Sequence, residues 1–207
     1  MIEISHTEVS GWQAAVRGMR NPLNSWDLSD TFFSTETPYF QLGANDLRLM
    51  KTLVAAGPDH AKFLRFLTVT ADINAPMYWW KEFDTYKVGT VRLSCSTMHR
   101  IHSKELTLKD FSTEHLGQAA VKLLDDTIWG INDYRKRFLR SDNKEDWWQM
   151  IQLLPSSYMQ RSTVQLNYQV LRNIYNARRN HKLDEWCMFC IWIKGLPHSE
   201  LITLQEK

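Results

Sequence analysis

The sequence predicts a single α+β domain over residues 1–207, mostly helical, with a small antiparallel sheet and long helices. Three observations lead there. At 207 residues, with 43% hydrophobic and 23% charged side chains, the chain is long enough for one core and has no repeat, low-complexity tract or Pro/Gly linker to divide it. Most apolar residues recur at helical spacing between Gly and Pro breakers. Only residues 1–6 and 66–73 alternate, or carry β-branched side chains, as strands do.

In order, MIEISH opens as a short strand, and residues 11–19 have helical spacing before the Asn21-Pro22 breaker. Residues 23–43 are turn-rich. Asn45-Asp46 cap a helix over LRLMKTLVAA, closed by Gly57-Pro58. FLTVTADI reads as a strand, after which Asn74 caps a helix with Pro76 in its first turn, and Gly89 closes that unit. A long amphipathic helix covers residues 112–139, with Leu116, Ala120, Leu123, Leu124 and Ile128 on its apolar face. Asp142 and Glu145 suggest a capping box for the helix stopped by Pro155. Two last helices cover residues 160–180 and 184–194.

Composition excludes several classes. The net charge of +2 is spread over both signs, which gives no global case for nucleic acid but leaves room for local anion sites. There is no apolar run of membrane-spanning length and no apolar signal core, so the expectation is a cytoplasmic protein without a membrane partner. Three cysteines are an odd number and imply reduced thiols. The CxxC of Cys187 and Cys190 sits in an apolar helix without a second pair, and His99 and His102 lack a third ligand, so no metal is expected. GxSxG, P-loop, GxGxxG and HExxH motifs are absent. Nine Trp, nine Phe and seven Tyr divide between core, subunit contacts and stacking on a planar ligand.

The informative stretch runs from Leu154-Pro155 through Arg161 and Asn167 to Asn176-Ala177-Arg178. Arginine offers a rigid fork of donors to phosphate, and asparagine offers a donor and an acceptor to a heterocycle. On one helix, at about 100° per residue, Asn167 and Arg178 would lie within roughly 20° of each other and could line a groove. Asn176 would then point nearly opposite Asn167, serving the same site only through an irregular helix or another subunit. A solvated polar face is the other reading.

This pattern, with Leu-Pro, an Arg six residues after the Pro, an Asn six later, Asn-x-Arg and an acidic-Trp helix start, resembles the flavin-dependent thymidylate synthases. Residues 14–25 are similar to that family's opening helix and turn, residues 49–57 to the helix before its central strand, and residues 66–83 to the strand and helix that deliver its signature. The signature RHRxxSxNExSxRY falls in register with residues 84–97, where only Ser94 agrees. Asp84, Thr85 and Tyr86 stand in place of the basic triplet that holds flavin, and Ser96 in place of the arginine that binds substrate phosphate. Lys87, Arg92, His99 and Arg100 are the candidate substitutes.

The resemblance implies a homotetramer that binds a pyrimidine nucleotide and uses FAD, with NADPH and methylenetetrahydrofolate as co-substrates, to add a one-carbon unit to dUMP or a relative. It assigns Ser94, Ser96, Arg161 and Lys182 to the substrate. Asn176, Arg178, Tyr86 and Asn167 fall to the cofactor, with Tyr86 stacking or hydrogen-bonding where the family has a basic group. The alternative is a non-catalytic nucleotide-binding or scaffold homologue that has lost flavin binding.

Overall fold

The computed structural model describes residues 1–37 and 39–204. Its elements are β1 (Glu3–Ser10), α1 (Trp12–Arg20), the short strands β2 (Phe32–Phe33) and β3 (Phe40–Gln41), α2 (Ala44–Ala55), β4 (Thr68–Pro76), α3 (Met77–Phe83), β5 (Val91–Ser94) and α4 (Thr97–Arg100). There follow α5 (Gln118–Ser141), α6 (Lys144–Leu153), β6 (Met159–Asn167), α7 (Tyr168–Arg178), α8 (Asp184–Lys194) and α9 (Glu200–Thr203). One sheet has the order β1-β4-β6-β5, and β2 and β3 pair as an antiparallel ribbon. β4 and β6 are antiparallel. The Tyr168 N–H donates to Leu67 O at 3.0 Å beyond one end, and the Met77 N–H donates to Tyr158 O at 3.0 Å beyond the other. The α+β class is as expected, with helix predominant.

Several boundaries differ from the sequence reading, each for a local reason. The helix expected over residues 160–180 is two elements. Ser162, Val164 and Leu166 are buried while Arg161, Thr163 and Gln165 are exposed, the period of two of a strand with one covered face. The helix begins only at Tyr168, and Asn167 is its N-cap, its Oδ1 accepting the Val170 N–H at 3.0 Å. β4 likewise continues its alternation through Val69, Ala71, Ile73 and Ala75, so Asn74 lies in the strand and α3 starts after Pro76.

α2 begins at Ala44, and the Asp30 carboxylate accepts the Asn45 and Asp46 N–H groups at 2.9 and 3.0 Å. α5 begins after Gly117, which leaves Leu116 outside it; Leu123 is exposed, and the buried face is Leu124, Ile128, Ile131 and Asn132. The cap of α6 is Asn143, whose Oδ1 accepts the Glu145 N–H at 2.9 Å, while Asp142 takes a left-handed φ of 53° at the end of α5.

The chain forms two compact units interleaved in sequence: residues 1–5, 72–85 and 92–163 make the first, and residues 6–71, 86–91 and those from 164 onward the second. In the first, Ile101, Leu106, Leu124, Ile128, Ile131 and Met150 form a buried apolar cluster. Asn132 reaches into it without an unsatisfied group: its Oδ1 accepts the Leu106 N–H at 2.9 Å and its Nδ2 donates to Leu106 O at 2.8 Å.

In the second unit Trp12 is stacked on Phe40 at 5.2 Å and meets Tyr168 edge-on at 5.8 Å. Gly11, at φ 92°, precedes it; a Cβ there would lie 1.9 Å from the Phe66 carbonyl oxygen, so only glycine fits.

The buried pair Arg20 and Asp46 fixes the irregular segment between α1 and α2. Arg20 Nε donates to Asp46 Oδ1 at 2.6 Å, and its Nη1 and Nη2 donate to the carbonyls of Ser25 and Leu28 at 3.0 and 2.9 Å. Asp46 Oδ2 accepts from the Ser29 and Thr31 hydroxyls and from the N–H groups of Asp30 and Thr31. Burial pushes the Asp46 carboxyl upward, but the hydrogen bonds from Thr31, Ser29 and Arg20 outweigh it and hold the group below the ordinary carboxylate range.

Removing one member leaves the other charge buried, so Asp46→Ala is expected to cost about 3–5 kcal/mol in urea unfolding. Because the folded carboxyl titrates below the unfolded value of about 3.9, its stabilisation is complete above that pH and is lost as pH falls further. Acid melts of Asp46→Asn should therefore lack part of the wild-type fall in stability below about pH 4.

Candidate functional site

β5 is an edge strand, and one arginine ties it down. The Arg92 guanidinium lies over Trp80, 3.8 Å from the ring centroid. Its Nη1 donates to both Asp84 carboxylate oxygens at 2.8 and 2.7 Å, its Nη2 to Gln160 Oε1 at 2.6 Å and its Nε to Ser162 Oγ at 3.0 Å. The Gln160 amide continues the chain by donating from Nε2 to Cys95 O at 2.8 Å. Asp84 and Arg92 neutralise each other, so Arg92 is a clamp rather than the phosphate ligand it could have replaced.

Past β5 the first unit has a pocket of about 440 Å³, lined by Ser96 and Thr97, by Arg100, Lys104, Lys109 and Arg161, and by Tyr158. Two of its cations are already neutralised. Lys104 Nζ is bonded to the Asp110 carboxylate, and Arg161 Nη2 donates to Asp72 Oδ2 at 2.6 Å. The hydrogen bond to Asp110 raises the Lys104 pKa. Burial pushes Asp110 up, but the bonds from Lys104 and Thr107 hold it down. Burial raises the Tyr158 phenol, which keeps it protonated and able to donate. Arg100 and Lys109 have no partner among the described residues.

Ser96 and Arg161 both line this pocket, and Arg161 sits on a strand rather than on the expected helix. Ser96 Oγ accepts the His99 N–H at 3.2 Å and caps α4. Ser94 is exposed on β5 and does not line the pocket. Lys104 and Lys109 escaped the sequence reading; their signal was the run Lys104-Glu105-Leu106-Thr107-Leu108-Lys109-Asp110, where Thr107 and Asp110 form a capping box that turns the chain between the two lysines.

The residues assigned to the cofactor lie in the second unit. Arg178 Nε donates to the Tyr86 hydroxyl at 2.9 Å, its Nη1 is 3.0 Å from His181 Nε2, and its guanidinium lies 4.9 Å from the Trp186 ring centroid. Tyr86 and Arg178, 92 positions apart, are therefore direct partners. Asn176 and Lys182 are exposed and have no partner among the described residues. Asn167 does not share a helical groove with Arg178, because it precedes the helix as its cap.

The Asn167 Nδ2 approaches Gly89, where an added Cβ would stand 3.0 Å from it. Nearby, Thr90 Oγ1 is buried with no hydrogen-bond partner among the described residues. The uncommitted Asn167 amide beside the open Gly89 backbone fits an oxygen-rich group. Among the described residues, no group of three or more His, Cys, Asp and Glu could hold a metal ion.

No protein-family model and no curated protein matches the sequence. Solved structures do match. The flavin dependent thymidylate synthase ThyX from Helicobacter pylori, complexed with FAD and dUMP, aligns at a TM-score of 0.70 and 16% identity over 99% of this chain and 100% of that one. The UMP/dUMP methylase PolB from Streptomyces cacaoi, bound with 5-Br dUMP, aligns at 0.66 and 15% identity over 98% and 94%. The fold is of the α+β class. More narrowly, it is the fold of the flavin-dependent thymidylate synthases, present over the whole described chain.

The geometry makes Arg92 a stability residue. Arg92→Lys keeps the charge but cannot reproduce the planar fork, so the urea midpoint should fall by an amount worth about 1.5–3 kcal/mol.

Proposed function

We propose that the protein, acting as one domain over residues 1–207, binds a pyrimidine nucleotide in the first-unit pocket and modifies its ring by one-carbon transfer. The observation that carries this reading is the pair Arg100 and Lys109, two cations without a partner among the described residues on the wall of one pocket, in a chain with the thymidylate synthase fold. A phosphate monoester carries close to two negative charges at neutral pH, which those two cations match. Ser96 and Thr97 supply hydroxyls beside them, and the neutral Tyr158 phenol can donate to a base or sugar oxygen. Arg161, already held by Asp72, shapes the wall and lends a remaining donor. Ser94 and Lys182, the other two residues of the expected substrate set, do not line this pocket and are given no contact in it.

FAD, the cofactor on this reading, supplies hydride when bound, with methylenetetrahydrofolate as carbon donor and NADPH as reductant. Asn176, Arg178, Tyr86 and Asn167 would hold it. Large apolar side chains left in water, Trp129 at 74%, Leu93 at 73% and Val88 at 91% exposure, support assembly with further copies, a homotetramer on this reading. Three free thiols are consistent with a cytoplasmic setting, and among the described residues no helix is long and apolar enough to cross a membrane.

Two experiments test the proposal. In calorimetric titration with dUMP, Arg100→Ala and Lys109→Ala should each weaken binding roughly tenfold or more, since a charge-assisted phosphate contact is worth about 1.5–3 kcal/mol. In a reaction with FAD, NADPH and methylenetetrahydrofolate, mass spectrometry should find dUMP converted to a product one methyl heavier. Wild-type protein that binds dUMP but yields no product in repeated assays would leave a nucleotide-binding homologue; no binding would remove the proposal altogether.

A further inference from the structure

Cys95 brings an exposed free thiol to the wall of the first-unit pocket, where Arg100 and Lys109 stand without a partner among the described residues. Its backbone is anchored on both sides. The Cys95 N–H donates to Arg161 O at 2.9 Å, and Cys95 O accepts from Gln160 Nε2 at 2.8 Å. Gln160 is held in turn by Arg92, whose Nη2 donates to its Oε1 at 2.6 Å. The main chain under the thiol is fixed by β6 while the residue itself remains open to solvent.

The surroundings are those of a reactive cysteine rather than a packing one. Thiolate is the nucleophilic form, and reactive cysteines sit partly exposed among positive charges. Arg100, Lys104, Lys109 and Arg161 line the same pocket, with Asp110 as the one carboxylate among the described lining residues. Burial raises the Tyr158 phenol, and the charge of an ionised Cys95 sulfur adds to that rise, as it adds to the effect of Asp72 on Arg161. The sulfur is therefore within electrostatic reach of both groups. The CxxC pair differs: burial pushes the Cys190 thiol up to about 11, and Cys187 donates its S–H to His181 O at 3.3 Å.

We propose that Cys95 is a nucleophile that adds to C6 of the pyrimidine ring, an inference that rests on the nucleotide reading of this pocket. C6 of uracil is the β-carbon of an unsaturated carbonyl, which makes it a target for a thiolate. The thiol proton passes to water, a sulfur electron pair forms the Sγ–C6 bond, and the C5=C6 π pair moves through C4 onto the carbonyl oxygen. The protonated Tyr158 phenol is the donor on this wall suited to that enolate oxygen. C5 thereby becomes the electron-rich carbon that a one-carbon unit needs. In water alone C5 takes a proton instead. Loss of either C5 hydrogen then restores the enolate, whose collapse reforms the double bond and expels the thiolate, with no net oxidation or reduction.

The cycle is testable without FAD, folate or NADPH. In heavy water the protein should exchange the C5 hydrogen of dUMP for deuterium, read by proton NMR as loss of the H5 signal and collapse of the H6 doublet to a singlet. Cys95→Ser should lower exchange to the rate seen without protein, because a serine hydroxyl is not ionised at neutral pH. Its thermal midpoint and its calorimetric affinity for dUMP should match the wild type, since the side chain is exposed and the anchoring bonds come from the backbone. Cys187→Ser should exchange as the wild type does.

Wild-type protein that binds dUMP but leaves H5 unexchanged would overturn the proposal while the nucleotide reading stands, and so would exchange that survives in Cys95→Ser. Failure of the wild type to bind dUMP in the calorimeter would remove the nucleotide reading and this proposal with it.

Discussion

The Arg92 guanidinium lies over the Trp80 ring and gives its donors to Asp84, Gln160 and Ser162. This packing joins the end of α3, the edge strand β5 and the central strand β6, and it does so with a neutralised charge. Apart from its backbone pairing with β6, an edge strand with exposed Val91 and Leu93 buries little apolar surface to hold it in place. The planar guanidinium over the indole supplies both direction and burial, which a lysine could not. Cys95, Ser96 and Thr97 follow directly from β5, so the position of the pocket wall depends on this contact.

The consequence for the site is a redistribution of charge. The segment in register with the synthase signature has become a structural joint, with Asp84 and Arg92 satisfying each other. Positive charge available to a ligand lies further along the chain, on Arg100 of α4 and on Lys109 after the capped turn at Thr107. Lys104 and Arg161 add positive potential but are paired with Asp110 and Asp72, which fixes their geometry at the expense of their reach. A pocket with two paired and two unpaired cations favours a small dianion over a polyphosphate.

Much of the fold was legible because helices such as α8, and the two inner strands in part, carry their periodicity in plain view. What was missed has common causes. Residues 159–167 carry Arg161 and Asn167 at spacings that suit a helix, yet Ser162, Val164 and Leu166 alternate inward, and pairing with β4 decides the outcome. Asp46 reads as a cap from the sequence but is drawn inward by Arg20, a partner 26 positions away that no local rule reveals. At the site, Ser96 and Arg161 share the pocket lining, but the commitments of Arg161 to Asp72, Arg92 to Asp84 and Arg178 to Tyr86 are tertiary facts. Spacing tells which residues carry chemistry; only packing tells which of them are free to use it.

The central claim is that Arg100 and Lys109 receive the phosphate of a pyrimidine nucleotide. Crystals grown with 5-bromo-dUMP would test it directly, since anomalous scattering places the base and the difference density places the phosphate. The account predicts phosphate oxygens within hydrogen-bond distance of the Arg100 guanidinium and the Lys109 ammonium, with the bromine nearby. A nucleotide bound with its phosphate elsewhere, and with both side chains still in solvent, would contradict it.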